Sequence, residues 1–185
     1  MYMKSKDELL EALARGKRFK YLHFWGHKEK KPSREVTKLC LSQWYSSPFT
    51  ENGVRYATAE HYMMARKAAL FNDLDNQEKI IAASNPGAAK KLGREIRNFD
   101  QENWNAHKFD IVVQGSYLKF SQDEALKEFL LSTGNRVLVE ASPVDRIWGI
   151  GLEENKPEAN NPFQWRGENR LGFALMVARE RLRAE

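Results

Sequence analysis

"QENWNAHKFDIVVQGSYLKFSQDEALKEFLLSTGNRVLVEAS" runs from Gln101 to Ser142. Its first half carries helix-forming residues with no proline, which predicts a helix over about 101–120. A second helix follows over 122–132 and stops before Thr133-Gly134. "RVLVEAS" at 136–142 is short and β-branched, hence a strand. Two helices feeding a single strand are not the βαβαβ alternation of a doubly wound nucleotide fold. Towards the N-terminus the same rules predict helices over 86–95, with Pro86 in the first turn, and over 75–84. Another spans about 59–71, with Thr58 as its cap. "PFTENGVRYAT" holds Asn52-Gly53, a hairpin-turn signal. "YLHFW" at 21–25 and "TKLCLSQW" at 37–44 read as short strands. "SKDELLEALARG" opens on Ser5 with Glu8 three residues later, a capping box, and ends at Gly16. Towards the C-terminus, a loop rich in Asn, Pro and Gly over 153–168 precedes "ENRLGFALMVARERLRAE". There Leu171, Leu175, Ala178 and Leu182 recur at helical spacing as a core-facing stripe. The expectation is one helix-rich α+β domain with a small, mostly antiparallel sheet.

At 185 residues the chain can bury a substantial core, and 42% hydrophobic with 30% charged residues fits a globular protein. No apolar run approaches the roughly 20 residues that a membrane helix needs. The first twenty residues include acidic ones and no apolar core, so they do not read as a secretory signal. Cys40 is the only cysteine. An internal disulfide is impossible, a cysteine zinc site is disfavoured, and a cytoplasmic location is expected. Its apolar setting suits a buried thiol better than a nucleophile. The 30 Lys+Arg against 25 Asp+Glu give a net charge of +5 and a pI of about 9.3. That surplus favours a phosphate-bearing substrate or partner. It is scattered; the nearest to a basic run, "HKEKKPSR" at 27–34, reads as a solvated loop.

Several chemistries have no motif here. No GxGxxG follows a strand, and neither GxxxxGK[ST], HExxH nor GxSxG occurs. His23, His27, His61 and His107 lack metal-ligand spacing, so no metal and no cofactor is expected. Three features stand out. Seven residues of helix rise about 10 Å and return to nearly the same face, so Glu60, Met64, Lys67 and Phe71 share a stripe. Glu60 and Lys67 can flank a small polar ligand there, or they simply line a half-solvated helix face. In "SPVDRIWGIG", Asp145 and Trp148 follow a strand end, where loops display functional groups. The indole beside Gly149 can stack on a flat base while the backbone approaches closely; alternatively, Trp148 fills the core and Asp145 caps a turn. Finally, Phe24, Trp25, Trp44, Tyr45, Trp104, Trp148 and Trp165 stand in loop-like contexts, where aromatics stack on nucleobases or, as most aromatics do, build the core.

"YATAEHYMMARKA", "KLGREIRNFD…W", "KF…LKEFLLSTGNRVLVEAS", "DRIWGIGL" and "WRGENRLGFALMVARERL", in this order and spacing, resemble the NADAR family, also known as YbiA-like proteins. The resemblance runs from about residue 21 to the C-terminus. It divides the chain into an N-terminal helical extension, 1–18, and a catalytic domain, 19–185. It implies hydrolysis of N-glycosidic bonds to a phosphorylated ribose. One substrate class is ADP-ribose on guanine, in a nucleoside or nucleic acid, removed by antitoxin-like or stand-alone members. The other comprises phosphoribosylamino-pyrimidine intermediates of riboflavin synthesis. The partners implied are nucleic acid carrying the modification and an ADP-ribosyltransferase toxin.

Carried over by position, the family glutamate is Glu60, its helix lysine Lys67, its LGR arginine Arg94 and the tryptophan after it Trp104. The D-x-x-W-G motif gives Asp145, Trp148 and Gly149, and the last motif gives Gly167 and Asn169. Where many members read phenylalanine-serine-asparagine, this chain has Tyr45-Ser46-Ser47. The catalytic candidates are therefore Glu60, Asp145 and Lys67. The substrate-binding candidates are Phe24, Trp25, Lys28, Tyr45, Ser46, Arg94, Trp104, Lys119, Trp148, Gly149 and Asn169.

Breaking a ribose–nitrogen bond leaves positive charge on the sugar. Glu60 can activate water or oppose that charge. Asp145 can hold ribose hydroxyls or protonate the base. A lysine can instead trap the opened sugar as a Schiff base, Lys67 first, then Lys28 and Lys119. The rival from another class is a non-catalytic nucleotide-binding module, which would need no carboxylates.

Overall fold

The computed structural model describes residues 3–27 and 35–185. In chain order these form α1 (Lys6–Ala14), β1 (Tyr21–Phe24), β2 (Phe49–Glu51), β3 (Val54–Tyr56), α2 (Ala59–Leu70), α3 (Leu74–Ile81), α4 (Pro86–Leu92), α5 (Gln101–Ser121), α6 (Glu124–Ser132), β4 (Val137–Glu140) and α7 (Arg170–Arg183). Side-chain caps set most helix starts. Ser5, Thr58, Asn85, Asp100 and Asp123 each accept a hydrogen bond from a backbone N–H of the first turn.

The helix-rich α+β class is the observed one. Its strands form two separate pairs. β2 and β3 make the antiparallel hairpin, turning at Asn52 and Gly53, both with positive φ (50° and 81°). β1 and β4 run parallel, from Tyr21 opposite Val137 to Phe24 opposite Glu140. Val137, Leu138 and Val139 are all fully buried, as expected of a parallel strand covered on both faces. α7 packs on β4 and on α5, while α2 packs among α3, α4 and α5. Leu171, Leu175, Ala178 and Leu182 are buried as the stripe predicts, and so are Phe173, Ala174, Met176 and Val177. A helix held between a strand and another helix is covered around much of its circumference.

The strand expected at 37–44 is not formed. Lys38–Leu41 is a 3₁₀ turn, with Thr37 Oγ1 accepting from Leu39 N at 3.4 Å. The carbonyls that a neighbouring strand would have satisfied are taken by one side chain. Lys119 Nζ on α5 donates to Cys40 O at 2.6 Å and Ser42 O at 2.9 Å. Cys40 is wholly buried there, and burial pushes its thiol up to about 12.

Helix α1 docks on the body of the fold. Leu9 is fully buried, and Lys6 Nζ donates to Trp165 O at 2.7 Å. Among the described residues no helix is long and apolar enough to cross a membrane.

Candidate active site

Glu60 occupies the first turn of α2, where the capping of Thr58 and a hydrogen bond from its own N–H to Gln43 O (3.0 Å) fix the backbone. The half-solvated helix face is ruled out for this residue: only 3% of Glu60 is exposed. Its Oε1 is buried without a hydrogen-bond partner among the described residues. Burial pushes the carboxyl up to about 7, against the opposing pull of Lys90, the Trp44 side chain and Arg94, with Asp145 pushing the same way as burial. A helix N-terminus favours a carboxylate by up to about 1 kcal/mol in ordinary cases, and here desolvation outweighs it. Glu60 lines a cleft of about 750 Å³, counting its open mouth, together with Trp44, Lys90, Asp145 and Trp148.

Asp145 reaches this cleft from the loop after β4 and also caps that loop. Its Oδ1 accepts from the N–H groups of Ile147 and Trp148, both at 2.8 Å. Asp145 therefore both lines the cleft and caps its turn. Trp148, half-buried, is brought to the cleft wall by the same turn. Gly149 works through its missing side chain: a Cβ there would lie 2.9 Å from Glu140 O and 3.0 Å from Asp145 O. Asn169 is fully buried in the left-handed conformation at the head of α7. Its amide donates to Leu138 O (2.8 Å) and accepts from Glu140 N (2.9 Å), so it ties α7 to the end of β4. Both residues hold the site in shape without lining its wall.

Two groups of the cleft were missed in the sequence reading. Glu140 ends β4 and lines both the central cleft and a side arm that continues past Trp44 to Trp25 and Val144. Its Oε2 is buried without a partner among the described residues. Burial, Asp145 and Glu60 push it up to about 8, with Lys90 pulling the other way. A glutamate closing a β-branched strand is ordinary in a sequence, so no local signal singled it out. Lys90 lines the same two spaces, with Nζ 5.9 Å from the Trp44 ring centre. It lies on α4, and Arg94 follows just past the end of that helix.

The opposite side of the cleft is cationic. Lys67 Nζ donates to Gly93 O at 2.7 Å and lies 4.4 Å from the Phe99 ring centre and 5.5 Å from that of Trp104. Burial lowers its pKa. Lys67, Arg94, Trp104 and Trp148 line the central cleft and also a second arm, which Lys108 joins. Arg94 is exposed at the rim. The result is one groove: aromatic at one end, three carboxylates in the middle, basic at the other.

The other candidates fall elsewhere. Phe24 is fully buried and meets the aromatic arm from the core, whereas Trp25 is 54% exposed at its lip. Tyr45 lies under Lys119, whose Nζ is 5.4 Å from its ring centre, and Ser46 is exposed; neither lines the central cleft. Lys119 is buried as the clamp on the 38–42 turn, and desolvation lowers it to about 8. Lys28 lies outside the described residues. Among those residues, no group of three or more His, Cys, Asp or Glu is placed to hold a metal ion.

Comparison with known proteins places this groove in context. The model of the NADAR domain matches residues 23–183. An N-glycosidase of Acanthamoeba polyphaga mimivirus is 44% identical over 166 residues, covering 87% of this chain and 95% of that protein. The N-glycosidase YbiA of Escherichia coli is 32% identical over 145 residues, covering 78% and 82%. Its NMR structure superposes with a TM-score of 0.71 at 27% identity, covering 91% of this chain and 88% of that one. A riboflavin biosynthesis protein of Vibrio vulnificus is 31% identical over 142 residues, which are 77% of this chain but 35% of that protein.

Proposed function

The chain belongs to the NADAR domain family, and from that premise we propose that it is an N-glycosidase cleaving the bond between a phosphorylated ribose and a base nitrogen. The first substrate class is ADP-ribose on guanine, in a nucleoside or in nucleic acid. The observation that carries the reading is Glu60, a carboxylate buried beside the cleft with one oxygen unpaired among the described residues. Burying such a group costs several kcal/mol unless something compensates. A non-catalytic nucleotide-binding module has no use for it.

The groove's polarity supplies the orientation. Phosphates sit at the Arg94–Lys108 end, where charge-assisted hydrogen bonds hold them. The ribose lies over Glu60 and Asp145, and the base extends towards Trp44 and Trp25. Glu60 takes the proton of the attacking water and faces the cationic sugar. Asp145, with Oδ1 committed to its own turn, offers Oδ2 to a ribose hydroxyl. Lys67 is a half-buried amine with a lowered pKa, placed to add to the opened sugar at C1′ before water releases it. Both routes end in the same hydrolysis.

The phosphoribosylamino-pyrimidines form the second substrate class, favoured by the similarity to a riboflavin biosynthesis protein of Vibrio vulnificus. The test is release of free base from ADP-ribosylated guanosine and from a phosphoribosylamino-pyrimidine, in parallel, by wild type and Glu60→Gln. Release from either substrate by wild type alone supports the reading; release from neither overturns it.

A further inference from the structure

The reading above leaves one buried carboxylate of the cleft without a task. We propose that Glu140 is the catalytic acid that protonates the departing base nitrogen. This rests on the hydrolase reading of the preceding subsection and names the leaving-group chemistry of the same site.

Position comes first. Glu140 is pinned at the strand end by the pairing with Phe24, by Asn169 Oδ1 accepting its N–H, and by Ile150 N donating to its carbonyl at 2.9 Å. Its side chain lines both the central cleft and the aromatic arm, whereas Glu60 lines the central cleft. The bond to be broken joins a sugar in the first space to a base in the second. Of the buried carboxylates, Glu140 faces both spaces and so can reach the nitrogen. Asp145 also faces both, but its Oδ1 is engaged as an acceptor by two backbone N–H groups.

The environment of Glu140 suits a donor. An ionised oxygen buried without a partner is costly, and a neutral acid is far less so. Glu60 from α2 and Asp145 from the loop face it as like charges, Lys90 from α4 opposes them, and His27 lines the far side of the arm. The balance keeps the proton on Glu140 at neutral pH, as general acids require.

The step balances as follows. The C1′–N bond breaks and its electron pair goes to the base nitrogen, which takes the Glu140 proton. Water oxygen bonds C1′ and gives its proton to Glu60, either in the same displacement or when the Lys67 adduct is hydrolysed. The net change is addition of one water: a new N–H on the base and a new O–H on the sugar. Glu60 then carries the proton and Glu140 the charge. Transfer from Glu60 to Glu140, directly or through solvent, restores the starting state.

The experiment varies the leaving group. Glu140→Gln should release base from ADP-ribosylated guanosine, or from the phosphoribosylamino-pyrimidine, at least about 100-fold more slowly than wild type. The 5-phosphate of 4-nitrophenyl riboside, whose leaving group needs no proton, should lose no more than about 3-fold. Wild-type kcat/KM should fall above about pH 8, and that fall should vanish in Glu140→Gln and persist in Glu140→Asp, which keeps an acid. Carboxyl-carbon NMR of the wild type, comparing it with Glu140→Gln, should show the Glu140 proton retained at pH 7. Equal losses on both leaving groups, an unchanged rate on the N-glycoside, or an ionised Glu140 at pH 7 overturns the assignment alone. A wild type that releases base from neither N-glycoside removes the hydrolase reading, and this one with it.

Discussion

Glu60→Gln keeps the size of the side chain and removes its charge and basicity, and the structure predicts two opposite consequences. Turnover should fall by roughly 100-fold or more, as on loss of a general base. Stability should rise at alkaline pH. Burial lifts the Glu60 carboxyl from 4.5 to about 7 in the folded state. Between those values the unfolded chain binds fewer protons than the folded one, so wild-type stability falls as pH rises and then levels off above the folded value. At 1.36 kcal/mol per unit, the wild type has lost up to about 3 kcal/mol by pH 8.5. A glutamine loses none of it, although its own buried amide offsets part of the gain. At about 2–4 °C per kcal/mol for a chain of this size, Glu60→Gln should melt several degrees above wild type at pH 8.5. At pH 5 the gain should shrink to below about 1 kcal/mol. The assays are thermal melts at both pH values and base release from both candidate substrates, on one preparation. A variant that melts no higher at pH 8.5 and hydrolyses at the wild-type rate would falsify both the buried-charge argument and the catalytic one.

Arg94→Ala should weaken ADP-ribose binding by roughly 10-fold, the worth of a charged hydrogen bond to an exposed partner, with an unchanged melt. Titration calorimetry reads it, and wild-type affinity in the variant would remove Arg94 from the phosphate end. Borohydride added during turnover should trap a sugar adduct on Lys67, because burial lowers its pKa and favours the free amine. A trapping experiment with no adduct, read by peptide mass mapping, would assign the reaction to direct attack by water. Excess chelator in metal-free buffer should leave base release unchanged, since the three cleft carboxylates do not converge as a metal site. Loss of activity, restored by one added divalent ion, would contradict this.

The helices were legible because their ends are written in local chemistry: Ser5, Thr58 and Pro86 announce themselves without tertiary information. The 37–44 segment was not, because what satisfies its carbonyls is a lysine almost eighty residues away. The parallel pairing of β1 with β4 was equally hidden. Two short apolar strands far apart in sequence carry no sign of their relative direction. At the site, Glu60, Asp145, Trp104 and Trp148 could be named from their motifs. Glu140 could not, because "VLVEAS" reads as a strand and a glutamate ending a strand is ordinary. Its significance lies in being buried opposite two other carboxylates, and that is a tertiary fact.

The motif residues thus divide into groups that face the cleft and groups that hold it open. Glu60, Lys67, Arg94 and Trp148 face it. Gly149 and Asn169 hold it, and both act through Glu140. A side chain at Gly149 would press on the Glu140 carbonyl, and loss of the Asn169 amide would free the Glu140 N–H and the Leu138 carbonyl inside the core. Leaving two buried backbone groups unpaired costs about 1–3 kcal/mol each. Asp145 and Glu60 disfavour charge on Glu140, and any charge it gains would push apart the loop that carries Asp145 and the strand end that carries Glu140. The Asx turn of Asp145, the close contact at Gly149 and the Asn169 bridge oppose that splaying at one place. On the mechanism proposed above, the geometry for water activation and leaving-group protonation therefore depends also on Gly149 and Asn169, which line no part of the cleft.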